Sequence, residues 1–187
     1  MKTLLLTILT TLCYSIVHAQ QADPWEEYMT PNEVHQMLGE YAGHFNMEIS
    51  MWATEGKEPM KIKVAAKNKM ILGGRFLEVS QTGTMMEMDY QSVTTIGYNT
   101  SGKNMDLTTI TNMGTGTLSL TGASNPGTKI ATLAGQMISP GGGKVIRIRQ
   151  ILHFIDKNTL IIQNIDQADG QKARKTVEYK LTRAQTE

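Results

Sequence analysis

About ten short stretches in which apolar and polar residues alternate are the feature that most constrains this chain. The first is HFNMEISM, where Phe45, Met47 and Ile49 alternate with polar side chains. A period of two puts neighbouring side chains on opposite faces of an extended strand, so each stretch predicts a strand with one buried face. The stretches follow one another from residue 44 to residue 183 at near-regular spacing.

Short turn sequences separate these stretches: NTSGK, SNPGTK, SPGGGK, DKN and ADGQ. Asn, Asp, Gly and Pro are the residues that tight connections require. Hairpin-length connections favour an antiparallel, up-and-down strand order, and closure into a barrel removes the exposed edges of such a sheet. The predicted fold is therefore all-β, an up-and-down antiparallel barrel of about ten strands.

One short N-terminal α-helix is predicted before the strands, in TPNEVHQMLGEY. Thr30 stands where a helix cap is expected, Pro31 follows at the first helical position, and Glu33 completes a capping box. Val34, Met37, Leu38 and Tyr41 recur at helical spacing, and Gly43 is placed to end the helix.

The first residues, MKTLLLTILTTLCYSIVHA, have the pattern of a secretory signal peptide cleaved after Ala19. The predicted organisation is a signal peptide over 1–19, a polar leading arm over 20–29 and a single barrel domain over 30–187. The apolar run is too short and too interrupted by threonine to be a retained anchor. We expect an exported bacterial protein, periplasmic or extracellular, that does not span the membrane.

The exported chain lacks thiol chemistry, because the single cysteine, Cys13, lies in the predicted leader. Disulfides, thiolate metal sites and a cysteine nucleophile are therefore excluded. Without Lys2 the basic and acidic side chains balance, and no long basic run is present. Nucleic acid is therefore not an expected partner. The oligomeric state is not fixed by these patterns.

Six stretches occur in the order GHFNMEISMW, NKMILGGRFLEV, TGTMMEM, TTIGYN, TNMGTGT and VEYKLTR. Together they resemble the bacterial domain-of-unknown-function family 1579 (DUF1579), over most of Met29 to Arg183. LGGR and NMGTG are the most specific parts of the resemblance. It implies a lipocalin-like (calycin) barrel and carries no enzymatic activity with it.

Two positions depart from the pattern of that family. Phe45 stands where the family usually has the Trp of a Gly-x-Trp motif, so an aromatic ring still plugs one barrel end, without an indole N–H. Glu87 and Asp89 flank Met88 where the family commonly has a turn of Gly, Pro and an aromatic residue. A shifted or lengthened turn is the expected consequence.

The stretch TGTMMEMDY supplies Met85, Met86 and Met88, three of the 13 methionines. Thioethers are soft ligands suited to cuprous ions, which makes copper binding one reading. Strand alternation puts Met86 and Met88 on one face with Tyr90 and Met85 on the other, and no histidine lies nearby to complete a site. Packing, or the lining of an adaptable apolar pocket, is the favoured reading.

His153 lies in a predicted strand, and a strand histidine ligates heme iron in the related nitrobindin barrels. The alternative is a solvated or hydrogen-bonded histidine, which is the more frequent role of a single strand histidine. No catalytic constellation is present. SPGGGKV lacks the first glycine and the Ser or Thr of a phosphate loop, and no serine lies in a Gly-x-Ser-x-Gly turn.

Arg75 is expected to face inward with Leu77 and Val79 near a barrel end, where it meets an anionic head group. The competing role is structural, with the guanidinium holding a carboxylate or backbone carbonyls. Tyr90, Tyr98 and Tyr179 are candidates for polar groups inside the barrel.

The first functional hypothesis is a non-enzymatic barrel that binds a small apolar or amphipathic molecule. Its candidate ligand-binding residues are Phe45, Arg75, Met86, Met88, Tyr90 and His153; no catalytic residue, metal site or cofactor is predicted. The alternative is a structural or protein-interaction domain whose barrel is filled by its own side chains. An enzyme, or a heme or copper protein, is the third reading.

Overall fold

The computed structural model describes residues 23–125 and 127–185, so the predicted signal peptide lies outside the described residues. The described chain divides into two units, one up to Thr30 and one from Pro31 onward. Among the described residues, no helix is both long enough and apolar enough to cross a membrane.

Two short helices precede ten strands. The helices are α1 (Pro24–Met29) and α2 (Glu33–Gly39). The strands are β1 (Gly43–Met51), β2 (Met60–Ile71), β3 (Phe76–Met85), β4 (Met88–Asn99), β5 (Asn104–Thr111), β6 (Leu118–Asn125), β7 (Ile130–Ile138), β8 (Val145–Asp156), β9 (Thr159–Ala168) and β10 (Arg174–Arg183).

The strands form one closed antiparallel barrel. Each strand pairs with its neighbours in the sequence, and β1 pairs with β10 to complete the ring. The closing pair runs in continuous register from Phe45 opposite Arg183 to Met51 opposite Val177. The predicted all-β, up-and-down, ten-stranded barrel is therefore confirmed.

Alternation of side chains gives the barrel an apolar interior. Residues of the inner face are buried on every strand, and the polar residues between them face outward. The largest fully buried side chains are Tyr41, Phe45, Leu38, Met47, Ile49, Leu77, Ile96, Met105, Leu107, Leu133, Leu152 and Leu160.

The two barrel ends differ in what covers them. At one, the helix end, α2 packs against β2, β3 and β4, and the turns 72–75, 100–103 and 157–158 lie beside it. At the other, the methionine end, the terminal residues of β1 to β4 are Met51, Met60, Met85 and Met88, and Met137 is the next-to-last residue of β7. Within residues 31–185 no helix lies at the methionine end.

The start of α2 differs from the prediction. Asn32, not Thr30, is the N-cap, and its side chain accepts a hydrogen bond from the Val34 backbone N–H. The return half of the capping box comes from His35, whose Nδ1 accepts from the Asn32 backbone N–H at 3.0 Å. Asn is an efficient cap, and it stands two residues closer to the helical run than Thr30 does. The helix ends at Gly39, and Gly43 begins β1.

Part of the predicted leading arm is helical. Asp23 caps α1 by accepting from the Trp25 backbone N–H, and Pro24 occupies the first helical position. The Thr30 hydroxyl donates to the Glu26 carbonyl and so satisfies the last turn of α1. Asp followed by Pro and two glutamates is a helix-start signal, which the polar composition of the segment concealed.

Arg183, at the end of β10, joins several elements at the helix end. Its guanidinium lies over the Phe45 ring, 4.6 Å from the ring centroid. Its Nη1 donates to the Ala42 carbonyl at 2.8 Å, and its Nη2 donates to the carbonyls of Glu40 and Lys157. One side chain therefore ties the end of α2, the start of β1 and the β8–β9 turn together.

Replacing Arg183 with Lys should lower the free energy of unfolding by about 2 kcal/mol, because a single ammonium cannot reach three carbonyls and stack on the ring. Arg147→Lys is the matched control, since the Arg147–Asp169 ion pair is exposed, and it should change stability by less than about 0.5 kcal/mol. Urea denaturation of the three proteins measures this. Equal stability of the two variants would contradict the account.

His35 makes stability depend on pH. Burial lowers the pKa of His35 below its usual 6.5, and the nearby Arg75 charge adds to this against a hydrogen bond to the Tyr98 backbone. The folded chain thus prefers the neutral ring, so the stability it contributes is present above pH 6.5 and is lost as pH falls below that value.

We expect the free energy of unfolding to fall between about pH 7.5 and 5.5, and His35→Gln to reduce this fall. Gln is the residue that usually completes a capping box, so it keeps the cap without titrating. His153→Gln, on the outer face, should keep the wild-type dependence. Denaturant titrations at the two pH values measure the free energy of unfolding of each protein. If His35→Gln shows the same fall in this free energy as the wild type, His35 is not the cause of the pH dependence.

Candidate functional site

Part of the barrel interior is layered along its axis: on β3, β4, β5 and β9, apolar inner positions lie nearer the helix end and polar ones nearer the methionine end. Nearest the helix end the lining of the cavity is apolar, with Val79, Ile96, Leu107, Leu160 and Leu181. Towards the methionine end, the next inward positions of the same or neighbouring strands carry polar groups. This polar layer consists of Gln81, Tyr90, Ser92, Thr94, Thr109, Gln150, Asn164, Asp166 and Tyr179.

The polar side chains that β3, β4 and β5 contribute to this layer form hydrogen bonds with one another or with the backbone. The Tyr90 hydroxyl donates to Gln81 Oε1 at 3.0 Å, and the Thr94 and Thr109 hydroxyls lie 2.9 Å apart. The Ser92 hydroxyl donates to the Ile110 carbonyl at 3.0 Å. These groups hold each other in place and leave little capacity for a ligand.

The side built by β8 and β9 is different. Gln150 Oε1, Asn164 Oδ1 and Asp166 Oδ1 are buried and have no hydrogen-bond partner in the structure. Gln150 lies directly opposite Asn164 in the β8–β9 register, and Asp166 is the next inward residue of β9. Buried acceptors without partners cost free energy, so this part of the wall needs donors from elsewhere.

Asp166 and Tyr179 are the titratable groups most affected by the interior. Burial raises the pKa of Asp166, against the opposing effects of a hydrogen bond from Thr176 and the charge of Arg174. Its other oxygen, Oδ2, accepts from the Thr176 hydroxyl at 2.7 Å. Burial likewise raises the pKa of Tyr179, with the neighbouring Tyr90 and Asp166 adding to the shift. The tyrosine therefore stays neutral and the carboxyl group is poorly solvated.

The cavity enclosed by these layers is small. Water-sized molecules can occupy about 50 Å³ of it, and the whole void between the lining side chains, including its part open to solvent, is about 500 Å³. A buried water needs roughly 10–15 Å³ of such space, so the interior has room for a few waters as it stands. A larger guest requires lining side chains to move.

Methionine side chains occupy inner-face positions of β1 to β4 at the methionine end of the barrel, and the barrel opening at this end is called the mouth below. Met51 lies opposite Met60, and Met85 lies opposite Met88, so these four methionines face inward on β1 to β4. Met88 is 51% exposed. Thioether side chains adapt their shape easily.

The structure corrects the expectation for Met86. Met86 and Glu87 form a two-residue hairpin turn, with φ of 51° and 63°, and Met86 is 61% exposed. Strand alternation stops at Met85, so Met88 shares the inner face with Tyr90, as expected, while Met86 does not. Met85 is on that inner face, contrary to the prediction. The turn is short rather than lengthened.

Phe45 and Arg75 both lie at the helix end, away from the polar layer. Phe45 is buried beneath Arg183. Arg75 does not follow Leu77 inward, because β3 begins at Phe76 and Arg75 belongs to the preceding turn. Its Nη1 donates to the Leu72 and Gly73 carbonyls, at 3.2 and 3.5 Å. The structural alternative predicted for this arginine matches these contacts.

His153 faces away from the interior. It stands between the inward-facing Leu152 and Phe154 on β8, so alternation directs its ring to the outer face. A role for His153 inside the barrel, including heme ligation there, does not agree with this placement. In the described part of the chain, no three His, Cys, Asp or Glu side chains lie close enough to hold a metal ion.

Of the six predicted ligand-binding residues, the structure brings only Tyr90 and Met88 together on the mouth side of the interior. The sequence reasoning missed Gln150, Asn164 and Asp166. Their signal is present in the sequence, because Gln150 interrupts the apolar series Ile148, Leu152, and Asn164 and Asp166 continue the series of Leu160 and Ile162. A polar residue in an inward register is the pattern to look for.

A shallow groove of about 460 Å³ lies elsewhere on the barrel, along β7, β8 and β9. Arg147 and Arg149 line it together with Gln136 and Gln167. It is separate from the interior lining, and its Arg147–Asp169 ion pair is exposed to solvent.

The Met86–Glu87 turn yields a stability prediction. Positive φ is unfavourable for both residues by about 1 kcal/mol or more each, and Asn-Gly is the sequence that such a turn prefers. Met86→Asn combined with Glu87→Gly should therefore raise the free energy of unfolding by about 1 kcal/mol, as measured by urea denaturation. Met86→Leu, which keeps the backbone cost, should leave stability unchanged. A double variant no more stable than Met86→Leu would refute the assignment of strain.

Comparison with known proteins gives a family and a fold. A family model described as a protein of unknown function (DUF1579) matches residues 30–183. The crystal structure of Rv2717c from M. tuberculosis is similar to this chain, with a TM-score of 0.58 and 13% sequence identity, over 83% of this chain and 100% of that one. At that identity the likeness concerns the fold alone. A comparison with curated proteins found no match.

Proposed function

The chain belongs to the protein family of unknown function DUF1579, and from that premise we propose that it is a non-enzymatic barrel that binds a small amphipathic molecule in its interior. The tail of the ligand lies in the apolar layer near the helix end, and its polar head lies in the polar layer. The ligand enters through the methionine end.

The observation that carries this proposal is the order of the layers. On β3, β4, β5 and β9 an apolar inward residue lies nearer the helix end and a polar one nearer the mouth, as with Val79 and Gln81 or Leu107 and Thr109. A barrel that only needed a core would be more stable with apolar residues at both levels, because a buried polar group costs free energy unless it is bonded. The layering matches a molecule with one apolar and one polar end.

The contrast between the barrel ends supports entry from one side. Phe45 and the α2 residues Val34 and Leu38 are buried at the helix end, and Arg183 lies over the Phe45 ring. The methionine end instead presents side chains that are partly exposed, including Met60 and Met88. Moving a methionine side chain breaks no hydrogen bond, so access from this end costs little.

Export belongs to the same proposal. The leader pattern of residues 1–19 supports passage out of the cytoplasm, into a periplasm or the extracellular medium. Mass spectrometry of the protein recovered from a bacterial periplasm should give a chain beginning at Gln20. Recovery of the uncleaved chain from the cytoplasm would contradict export without affecting the interior site.

The second candidate function is a structural or protein-interaction domain filled by its own side chains. The 50 Å³ available to water-sized molecules favours it, because binding pockets for small molecules generally enclose more space. The two candidates differ in whether a guest can displace the lining.

Titration with the neutral apolar dye N-phenyl-1-naphthylamine, followed by fluorescence, tests the proposed function. We expect saturable binding, and Ser92→Leu, which fills the cavity at a buried lining position, should weaken it at least about tenfold.

Val93→Leu is the matched control, because Val93 is the next residue on the same strand and faces outward. It should leave dye affinity within about twofold of wild type. Thermal melts show whether each variant is folded. Absence of binding, or equal affinity in Ser92→Leu and wild type, would favour the filled barrel.

A further inference from the structure

We propose that the ligand is an amphipathic primary amine, held by its ammonium group against the β8–β9 side of the polar layer. This inference rests on the proposed function and names the class of molecule that the interior takes. The recognising groups are Gln150, Asn164 and Asp166, which form an acceptor stripe on the inner wall.

The three residues of the acceptor stripe are neighbours in the sheet. Gln150 and Asn164 are 4% and 7% exposed and lie opposite each other in register. Asp166 follows Asn164 on the same face of β9, one inward position nearer the methionine end. Gln150 lines the cavity, and the other two residues of the stripe lie beside it in the sheet.

The unpartnered atoms of the acceptor stripe accept hydrogen bonds, so a ligand that binds there must supply hydrogen-bond donors. Three buried oxygens, one on each residue, have no hydrogen-bond partner. An alkylammonium group carries three N–H donors and no acceptor, so one head group can serve all three oxygens. Hydrogen bonds between an ammonium and a carboxylate are also stronger than neutral ones, which favours a cation over an alcohol.

The cations of the protein itself do not fill this role. Arg174 lies opposite Asp166 in register, yet its Nη1 donates to the Trp52 carbonyl at 2.9 Å, and the oxygen Oδ1 of Asp166 remains without a partner. Lys175 lies over the Trp52 ring at 4.1 Å and pairs with Glu178. The charge of Arg174 acts on Asp166 from the neighbouring strand, but neither cation donates a hydrogen bond to the unpartnered Oδ1 of Asp166.

A fatty anion fits this wall poorly. Its carboxylate would lie beside the Asp166 carboxyl group and the side-chain oxygens of Gln150 and Asn164, and like charges in a poorly solvated site repel. Tyr90 could offer a donor, but its hydroxyl already donates to Gln81. The expected order of affinity is therefore amine, then alcohol, then anion.

Isothermal titration calorimetry with octylamine, octanol and octanoate near neutral pH tests this order on the intact protein. Octylamine should bind at least about tenfold more tightly than octanoate. Asp166→Asn keeps the shape of the side chain and removes its charge, so it should weaken octylamine at least about tenfold more than it weakens octanol.

Asp169→Asn is the matched control, because Asp169 is a 60% exposed carboxylate at the same barrel end and its removal changes the net charge equally. It should leave octylamine affinity unchanged. A second variant, Gln150→Leu, should also weaken octylamine, which keeps the test informative if Asp166→Asn folds poorly.

The outcomes separate the two proposals. Dye binding that Ser92→Leu weakens, combined with octanoate affinity equal to that of octylamine, would overturn the amine assignment and leave the interior site intact. The same conclusion would follow if Asp169→Asn and Asp166→Asn weakened octylamine binding equally, because the net negative charge of this barrel end, and not the Asp166 carboxyl group, would then attract the amine. If neither the dye nor any octyl compound binds, both proposals fail and the stripe is satisfied by water alone.

Discussion

Closure of β1 against β10 is the constraint on which the rest of this structure depends. Seven consecutive residue pairs, from Phe45–Arg183 to Met51–Val177, complete the ring of the ten described strands. At the first of these pairs, Arg183 lies over Phe45 and donates to the carbonyls of Glu40, Ala42 and Lys157. The pair at which β10 reaches the helix end therefore also ties that end together.

The proposed function has a guest reach the interior of this closed barrel from one end. The helix end is filled by buried aromatic and aliphatic side chains, which favours entry from the methionine end. On that proposal the methionines, the polar layer and the apolar layer lie in order along the path of the guest molecule. The unpartnered oxygens of Gln150, Asn164 and Asp166 carry a free-energy cost that a donor head group would remove.

The strands and their order were predictable, because alternation marks the buried face of each strand and short turns restrict the pairing. Alternation does not say where a strand stops. Met86 and Arg75 were therefore assigned to strands, although each lies in a turn. The cap of α2 was misplaced for a similar reason, since Thr30 and Asn32 are both competent caps and only the contacts of His35 distinguish them. The site was less predictable than the fold. Whether an inward Gln or Asn side chain finds a hydrogen-bond partner depends on the register between neighbouring strands, and the sequence does not specify that register.

Methionine methyl resonances give the most direct test of the claim that guests enter the interior from the methionine end. On addition of N-phenyl-1-naphthylamine to methyl-labelled protein, the account predicts shifts for Met47, which lines the cavity, and for Met85 and Met88 at its mouth. Met37 and Met70, which pack against the core at the helix end, should remain unchanged. Shifts confined to Met37 and Met70, or a Met47 resonance that does not move at saturation, would contradict it.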